Sequence, residues 1–272
     1  MYFRESKKIF CALMVLSLLA AFFYLADLRL AVRLQQDFGY YFCAVVFSLN
    51  LYFFGQYYYL RRNDALKHAC AIFLPTLFFA VVCTYLLHLH EPFVMRVFAD
   101  EPSHLTTSKL MASEHVVESG LSGYTEAGYH YIGNTSTSYR HYFYPFLISI
   151  LHGLFGYAIA NAFIVNVCAT FAMFVALSLL GRNLTGNSGG GIALPLIFLS
   201  MPLFPHVANS GAYDHLNLAL LSIYALCIWS YLRAKAEADM SALNFSIAVF
   251  LALALTRSES SLFIIPLALA FA

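Results

Sequence analysis

Tyr142–Gly181 reads YFYPFLISILHGLFGYAIANAFIVNVCATFAMFVALSLLG and carries no formal charge from end to end. A helix needs about 20 apolar residues to cross roughly 30 Å of hydrocarbon. This run is too long for one comfortable span and too short for two full spans with a turn between them. Gly156 divides it. Residues 143–155 then make a half-crossing, and residues 157–181 make a full one. The stretch therefore points to an all-α fold: a polytopic bundle of membrane helices that includes one half-length member.

The rest of the chain agrees. Charge-free runs at 9–26, 39–60 and 69–87 precede the quoted stretch, and span candidates at about 189–207, 214–232 and 242–257 follow it, charged only at Asp214 and Arg257 on their ends. The last of these is marginal in length. A final apolar run, 261–272, has no polar tail, as expected for a piece of a longer protein. Arg4, Lys7 and Lys8 stand before the first run, which reads as a signal anchor, since no small-residue cleavage site precedes Asp27. Charged residues make up 11% of the 272 and hydrophobic residues 61%, against roughly 25% charged in an average soluble domain. So few charges cannot cover that much apolar surface in water. A soluble single domain, a disordered chain and a secreted disulfide scaffold are excluded. A net charge of +1 with no dense basic patch argues against nucleic-acid binding. The six cysteines all lie in apolar runs without a CxxC pair and read as apolar filler.

Lys and Arg placement orients the spans. The N-terminus and the 61–68 loop, with Arg61, Arg62 and Lys67, belong inside. The long polar stretch 89–141 is acidic and belongs outside. Counting back from Arg233 and Lys235 as inside puts the 206–215 turn outside, and Arg182 inside. The segment 143–155 must then begin and end outside, as a re-entrant or half-membrane helix does. Asp100, Arg140, Asp214 and the Arg257–Glu259 pair all fall on the outer face. The GNSGGG stretch at 186–191 reads as a flexible turn into a helix. It lacks the strand and spacing of a phosphate loop.

The outer loop is too long for a simple connection. Ala99-Asp100-Glu101-Pro102 starts a helical stretch over 103–118, closed by Gly120. Asp100 suits a helix start as a capping carboxylate ahead of Pro. It also suits a general base at the membrane interface. Tyr139-Arg140-His141-Tyr142-Phe143-Tyr144-Pro145 ends the loop. There Arg140 offers a donor fork to phosphate, and the aromatics offer faces to sugar rings. The alternative is an interfacial aromatic belt with a snorkelling Arg. The loop histidines match no metal motif. Asp100 and His104, at i and i+4, are the one pair that could share a divalent cation.

These segments, in this order, resemble the GT-C glycosyltransferases, in particular the protein O-mannosyltransferase and aminoarabinose–lipid A transferase type. The resemblance rests on the loop Asp100-Glu101, the Tyr144-Pro145 entry with its Leu-Phe-Gly ending, and Asn161 and Asn166 in a helix ending in Leu180-Gly181-Arg182. It continues through Pro205, Asp214 and the closing Thr-Arg257-Ser-Glu259. It covers about 95–272 within a core of 61–272, and leaves the helices of 1–60 as an N-terminal addition. It implies transfer of a sugar from a polyprenyl-phosphate carrier to a protein, lipid or glycan hydroxyl, outside the cytoplasm and with inversion. Asp100 would be the base and Glu101 its neighbour. Arg140, His141, Tyr144 and Arg257 would hold the donor phosphate or sugar, and Asp214, His215 and Glu259 would orient sugar hydroxyls or the arginines. No cofactor is implied. The expected setting is a bacterial-type plasma membrane, with the N-terminus cytoplasmic. Two other classes compete: a transporter or flippase built on the half-helix, and a non-catalytic membrane scaffold.

Overall fold

The computed structural model describes residues 28–61, 66–89, 91–96, 100–126, 129–137, 141–233 and 240–265. The expected first span at 9–26, the site residue Arg140 and most of the apolar run 261–272 lie outside the described residues.

The helices are α1 (Leu28–Arg61), α2 (Leu66–Leu89), α3 (Asp100–Ser113), α4 (Phe143–Phe155), α5 (Ala160–Thr185), α6 (Ser188–Leu199), α7 (Phe204–Ala208), α8 (Asp214–Arg233) and α9 (Met240–Thr256). A 3-10 turn over Ser258–Phe263 follows α9. Among the described residues three helices are long and apolar enough to cross a membrane: Val32–Tyr57 within α1, α5 and α8. Leu74–Leu89, α4, α6 and α9 are apolar but shorter. α1 runs further than the expected span 39–60. Its 34 residues measure about 51 Å at 1.5 Å per residue, and the early turns carry Arg29, Arg33, Gln36 and Asp37.

Three expectations need correction. First, the loop helix does not reach 118. It stops at Ser113, and His115 takes a left-handed φ of 59°. The following residues form an antiparallel hairpin of β1 (Glu118–Glu126) and β2 (Tyr129–Thr137), pairing Glu118 with Thr137 and Gly120 with Thr135. The Thr, Tyr and Val content of 116–137 favours strands, and its Ser and Gly residues do not favour helix. The fold is therefore helical with one hairpin, not purely α. Second, 189–207 is not one helix. Pro202 has no backbone N–H and disfavours helix at Met201, so α6 ends at Leu199 and α7 restarts at Phe204. Third, the glycines of 186–191 are not all turn. Gly186 caps α5 in the left-handed conformation (φ 74°), and Asn187 caps α6 by accepting from Gly190 N–H at 3.0 Å. Gly189, Gly190 and Gly191 lie inside α6. A Cβ on Gly181 would stand 2.2 Å from Gly190 O, so these residues let two helix backbones touch.

α5 is the central element. It packs on α2, α6 and α8, while α9 packs on α8 and α1, and α3 on α4 and β1. Met173, Phe174 and Leu177 of α5 are buried with Leu216 and Ala219 of α8. A second apolar cluster joins Tyr224, Cys227 and Ile228 to Leu243 and Leu253. The bundle has two distinct ends. At one, Arg233 Nη1 donates to Asn183 O at 2.5 Å, and the Tyr57 hydroxyl meets Ser230 at 3.3 Å. At the other, Val117 N–H donates to Gln36 O at 3.0 Å, Val94 N–H to Asn209 O at 3.3 Å, and Ser258 N–H to His141 Nε2 at 3.2 Å.

Candidate functional site

The second end gathers side chains that are remote in sequence. α9 ends at Thr256, and Arg257 is extended (φ −156°) before the 3-10 turn, which projects its side chain over the start of α8. Arg257 Nη1 donates to Asp214 Oδ1 at 2.9 Å, and Nε donates to Glu259 Oε2 at 3.3 Å. Asp214 sits in the first turn of α8, where a carboxylate is favoured by the helix dipole. Glu259 is fully exposed. Its pKa is lowered by its own backbone N–H first, then by the Ser258 hydroxyl and the Arg257 charge. His141 Nε2 accepts from Ser258 N–H, so a neutral ring there carries its proton on Nδ1. The His141 ring meets Tyr213 edge-on with centroids 6.0 Å apart, Tyr213 meets His104 at 5.2 Å, and His104 meets Tyr144 at 5.8 Å. His104 lies one turn beyond Asp100, the half-buried first residue of α3.

Arg257 is half-exposed, with its side chain 41% accessible. Asp214 takes one guanidinium nitrogen, Nη1, and Glu259 another, Nε. The exposed part of the group can meet an anion.

The other expected residues sit deeper. Glu101 is wholly buried. Its Oε2 accepts from Arg96 N–H at 2.8 Å, and its Oε1 has no hydrogen-bond partner among the described residues. A Cβ on Gly211 would lie 3.3 Å from Glu101 Oε2, so the α7–α8 turn lies directly over this carboxylate. The buried Tyr144 hydroxyl donates to Ala162 O at 3.2 Å. Tyr144 is held between α3 and α5 and is not exposed to the Arg257 cluster. His215 turns away from its neighbour Asp214. It is fully buried, its Nε2 lies 2.7 Å from Thr170 Oγ1, and its ring packs on Phe204 at 5.2 Å.

Thr170 is the hub of a buried polar network. Its hydroxyl donates to Asn166 O at 2.8 Å and also meets His88 Nε2 at 3.0 Å. A hydroxyl has one proton and two lone pairs. With that proton on Asn166 O, His215 donates to Thr170 through Nε2, and His88 stands between two acceptor oxygens, Thr170 Oγ1 and Asn209 Oδ1, of which a neutral ring can donate to one. His88 Nδ1 is hydrogen-bonded to Asn209, and Asn166 Nδ2 donates to Ser210 O at 2.7 Å and Ala212 O at 3.1 Å. The network ties α2, α5 and the α7–α8 turn together directly beneath the Arg257 cluster, and its titratable members give it catalytic potential. Sequence reading passed over His88, Thr170 and Asn209. The available signal was polar residues placed at matching ends of apolar helices.

A separate link joins α3 to α4 and α5. His152 Nδ1 accepts from Asn161 Nδ2 at 2.7 Å, and its Nε2 meets Ser108 Oγ at 3.0 Å. Both ring nitrogens are thus satisfied, which marks a structural histidine. Among the described residues no group of three or more His, Cys, Asp or Glu is arranged to hold a metal ion. Of the expected site residues, Asp214, Arg257 and Glu259 meet directly, and His141 joins them through the neighbouring Ser258 N–H and Tyr213 ring. Asp100 connects to them through its own helix and the aromatic chain His104–Tyr213. Comparison of the chain with protein-family models, with curated proteins and with solved structures finds no match in any of the three.

Proposed function

We propose that the chain belongs to a membrane glycosyltransferase that moves a sugar from a polyprenyl-phosphate carrier to an acceptor hydroxyl at the outer membrane face, with inversion. The observation that carries the reading is the meeting of three segments far apart in sequence, around residues 141, 213–214 and 257–259, at the end of the bundle where α3 begins. That end would face outward. The opposite end, which gathers Arg233 and the α5 C-terminus with Arg182, would face the cytoplasm under the Lys/Arg rule.

In this reading Asp100 takes the proton of the acceptor hydroxyl. The acceptor oxygen attacks the anomeric carbon from the face opposite the phosphate. The bond from that carbon to the phosphate oxygen breaks, and the polyprenyl phosphate departs with the electron pair. A phosphate is already a good leaving group and needs no general acid. Arg257, with Arg140 as a second cation, holds the charge that develops on it. Asp214 and Glu259 fix the guanidinium so that little reorganisation is needed during the step.

The test is transfer from a radiolabelled polyprenyl-phosphate sugar, in membranes containing the full-length protein. Wild type and Asp100→Asn are compared at equal expression. Product from wild type and at least a hundred-fold less from the variant is expected. Equal product from both would remove Asp100 from the chemistry. Absence of product across several donor sugars would turn the reading toward a transporter or a scaffold.

A further inference from the structure

The turn between α4 and α5, some distance from the Arg257 cluster, gathers features that none of the preceding argument uses. Leu154, Phe155 and Ile159 are 69%, 73% and 50% exposed. Gly156 turns the chain between them with a φ of 83°. Beside them the Lys109 ammonium lies over the Tyr157 ring, 5.2 Å from its centroid. Among the described residues no carboxylate pairs with Lys109. Partial burial lowers its pKa, a cost that a bound anion would offset. Ala160, three residues beyond Tyr157, opens the 26-residue helix α5. That N-terminus has no side-chain cap and no acid in its first turn. Asn161 and Ala162 N–H bond back to Ala158 O and Ile159 O at 3.2 and 3.1 Å, and the helix dipole adds positive character at the same place.

We propose that Lys109 and the α4–α5 turn form a docking site for an anionic glycerophospholipid. The headgroup phosphate sits at the Lys109 ammonium near the α5 N-terminus, and the acyl chains lie over Leu154, Phe155 and Ile159. The two halves of the site match the two halves of such a lipid. A cation with no carboxylate partner among the described residues takes the phosphate, and adjoining exposed apolar side chains take the tails. The inference requires the membrane setting but does not rest on sugar transfer.

The experiment uses the purified full-length protein in detergent, with dioleoyl phosphatidylglycerol, dioleoyl phosphatidylcholine or inorganic phosphate added separately. The thermal unfolding midpoint and the lipid retained in native mass spectra are both read. Phosphatidylglycerol should raise the midpoint of wild type more than phosphatidylcholine does. Lys109→Arg should keep that difference, and Lys109→Gln should lose at least half of it. Inorganic phosphate alone should do little, because it makes no acyl contacts. An undiminished phosphatidylglycerol effect in Lys109→Gln overturns the proposal. So does an equal effect of the two lipids, or a full effect from inorganic phosphate. Should Lys109→Gln not fold, Phe155→Ser carries the test, since its side chain is outside the core: a reduced response supports the site and an unchanged one removes it.

Discussion

Arg257 shows how a side chain can matter for chemistry and little for stability. Its partners Asp214 and Glu259 are themselves substantially exposed, with side-chain accessibilities of 46% and 67%. Exposed pairs of this kind contribute little to stability, because water screens them. Arg257→Gln should therefore leave the thermal midpoint nearly unchanged while cutting sugar transfer by roughly a hundred-fold, the scale of losing one oriented donor at a developing charge. A variant that melts much earlier with unaltered turnover would make the cluster a structural clamp. Thr170 is the opposite case. It is wholly buried and serves two imidazoles and a backbone carbonyl. Thr170→Val keeps the shape but strands the His215 Nε2 proton and removes the oxygen that meets His88 Nε2. With about 1–3 kcal/mol for each buried donor left unsatisfied, the variant should be clearly destabilised in a thermal or denaturant melt. A neutral result would mean that water takes over the hydroxyl's role.

Among the elements, the α5–α6 pair depends most on a few atoms. A Cβ on Gly190 would stand 2.1 Å from Thr185 Oγ1 and 2.5 Å from Gly181 O. The second of these is backbone and cannot swing aside. Gly190→Ala should cost at least the roughly 1–3 kcal/mol of an overpacked core. Gly153→Ala, with open space around it, should cost little. Similar melting of the two variants would show that α6 can slide along α5 without penalty. The half-length helix α4 was legible from charge and length alone: its bounds at Phe143 and Phe155 match the run ended by Gly156. The β1–β2 hairpin was not. Asp-Glu-Pro marks a helix start clearly, but no comparable stop signal follows Ser113, and β1 is held by residues remote from any local pattern, through Ser119 to Ser103 and Gly120 N–H to Thr106.

At the scale of the whole molecule, the long helices α1, α5 and α8 run between the same two ends. Under the Lys/Arg rule the end with Arg233 would face the cytoplasm. Single cysteines introduced at Glu114 and at Leu232, both exposed, should react with a membrane-impermeant maleimide from opposite sides of sealed vesicles. The native cysteines described as buried, Cys43, Cys83 and Cys227, should stay silent. Labelling of both introduced sites from one side would break the two-ended arrangement as a transmembrane one.

The sequence by itself determined that the chain is helical and apolar and where its main runs divide. Those properties follow from local composition: the length of the apolar runs and the breaks made by Gly and Pro. Only the tertiary structure decided that Arg257 closes onto Asp214 while the adjacent His215 turns inward to Thr170. It also decided that Glu101 is sealed beneath Gly211 while Asp100, its neighbour, stays half-buried. Adjacent residues on a helix point about 100° apart, so which of the two faces the site depends on how each helix is rotated against its neighbours. That rotation is set by close packing between segments remote in the chain, such as the glycine contact of α5 with α6, and no local stretch of sequence contains it.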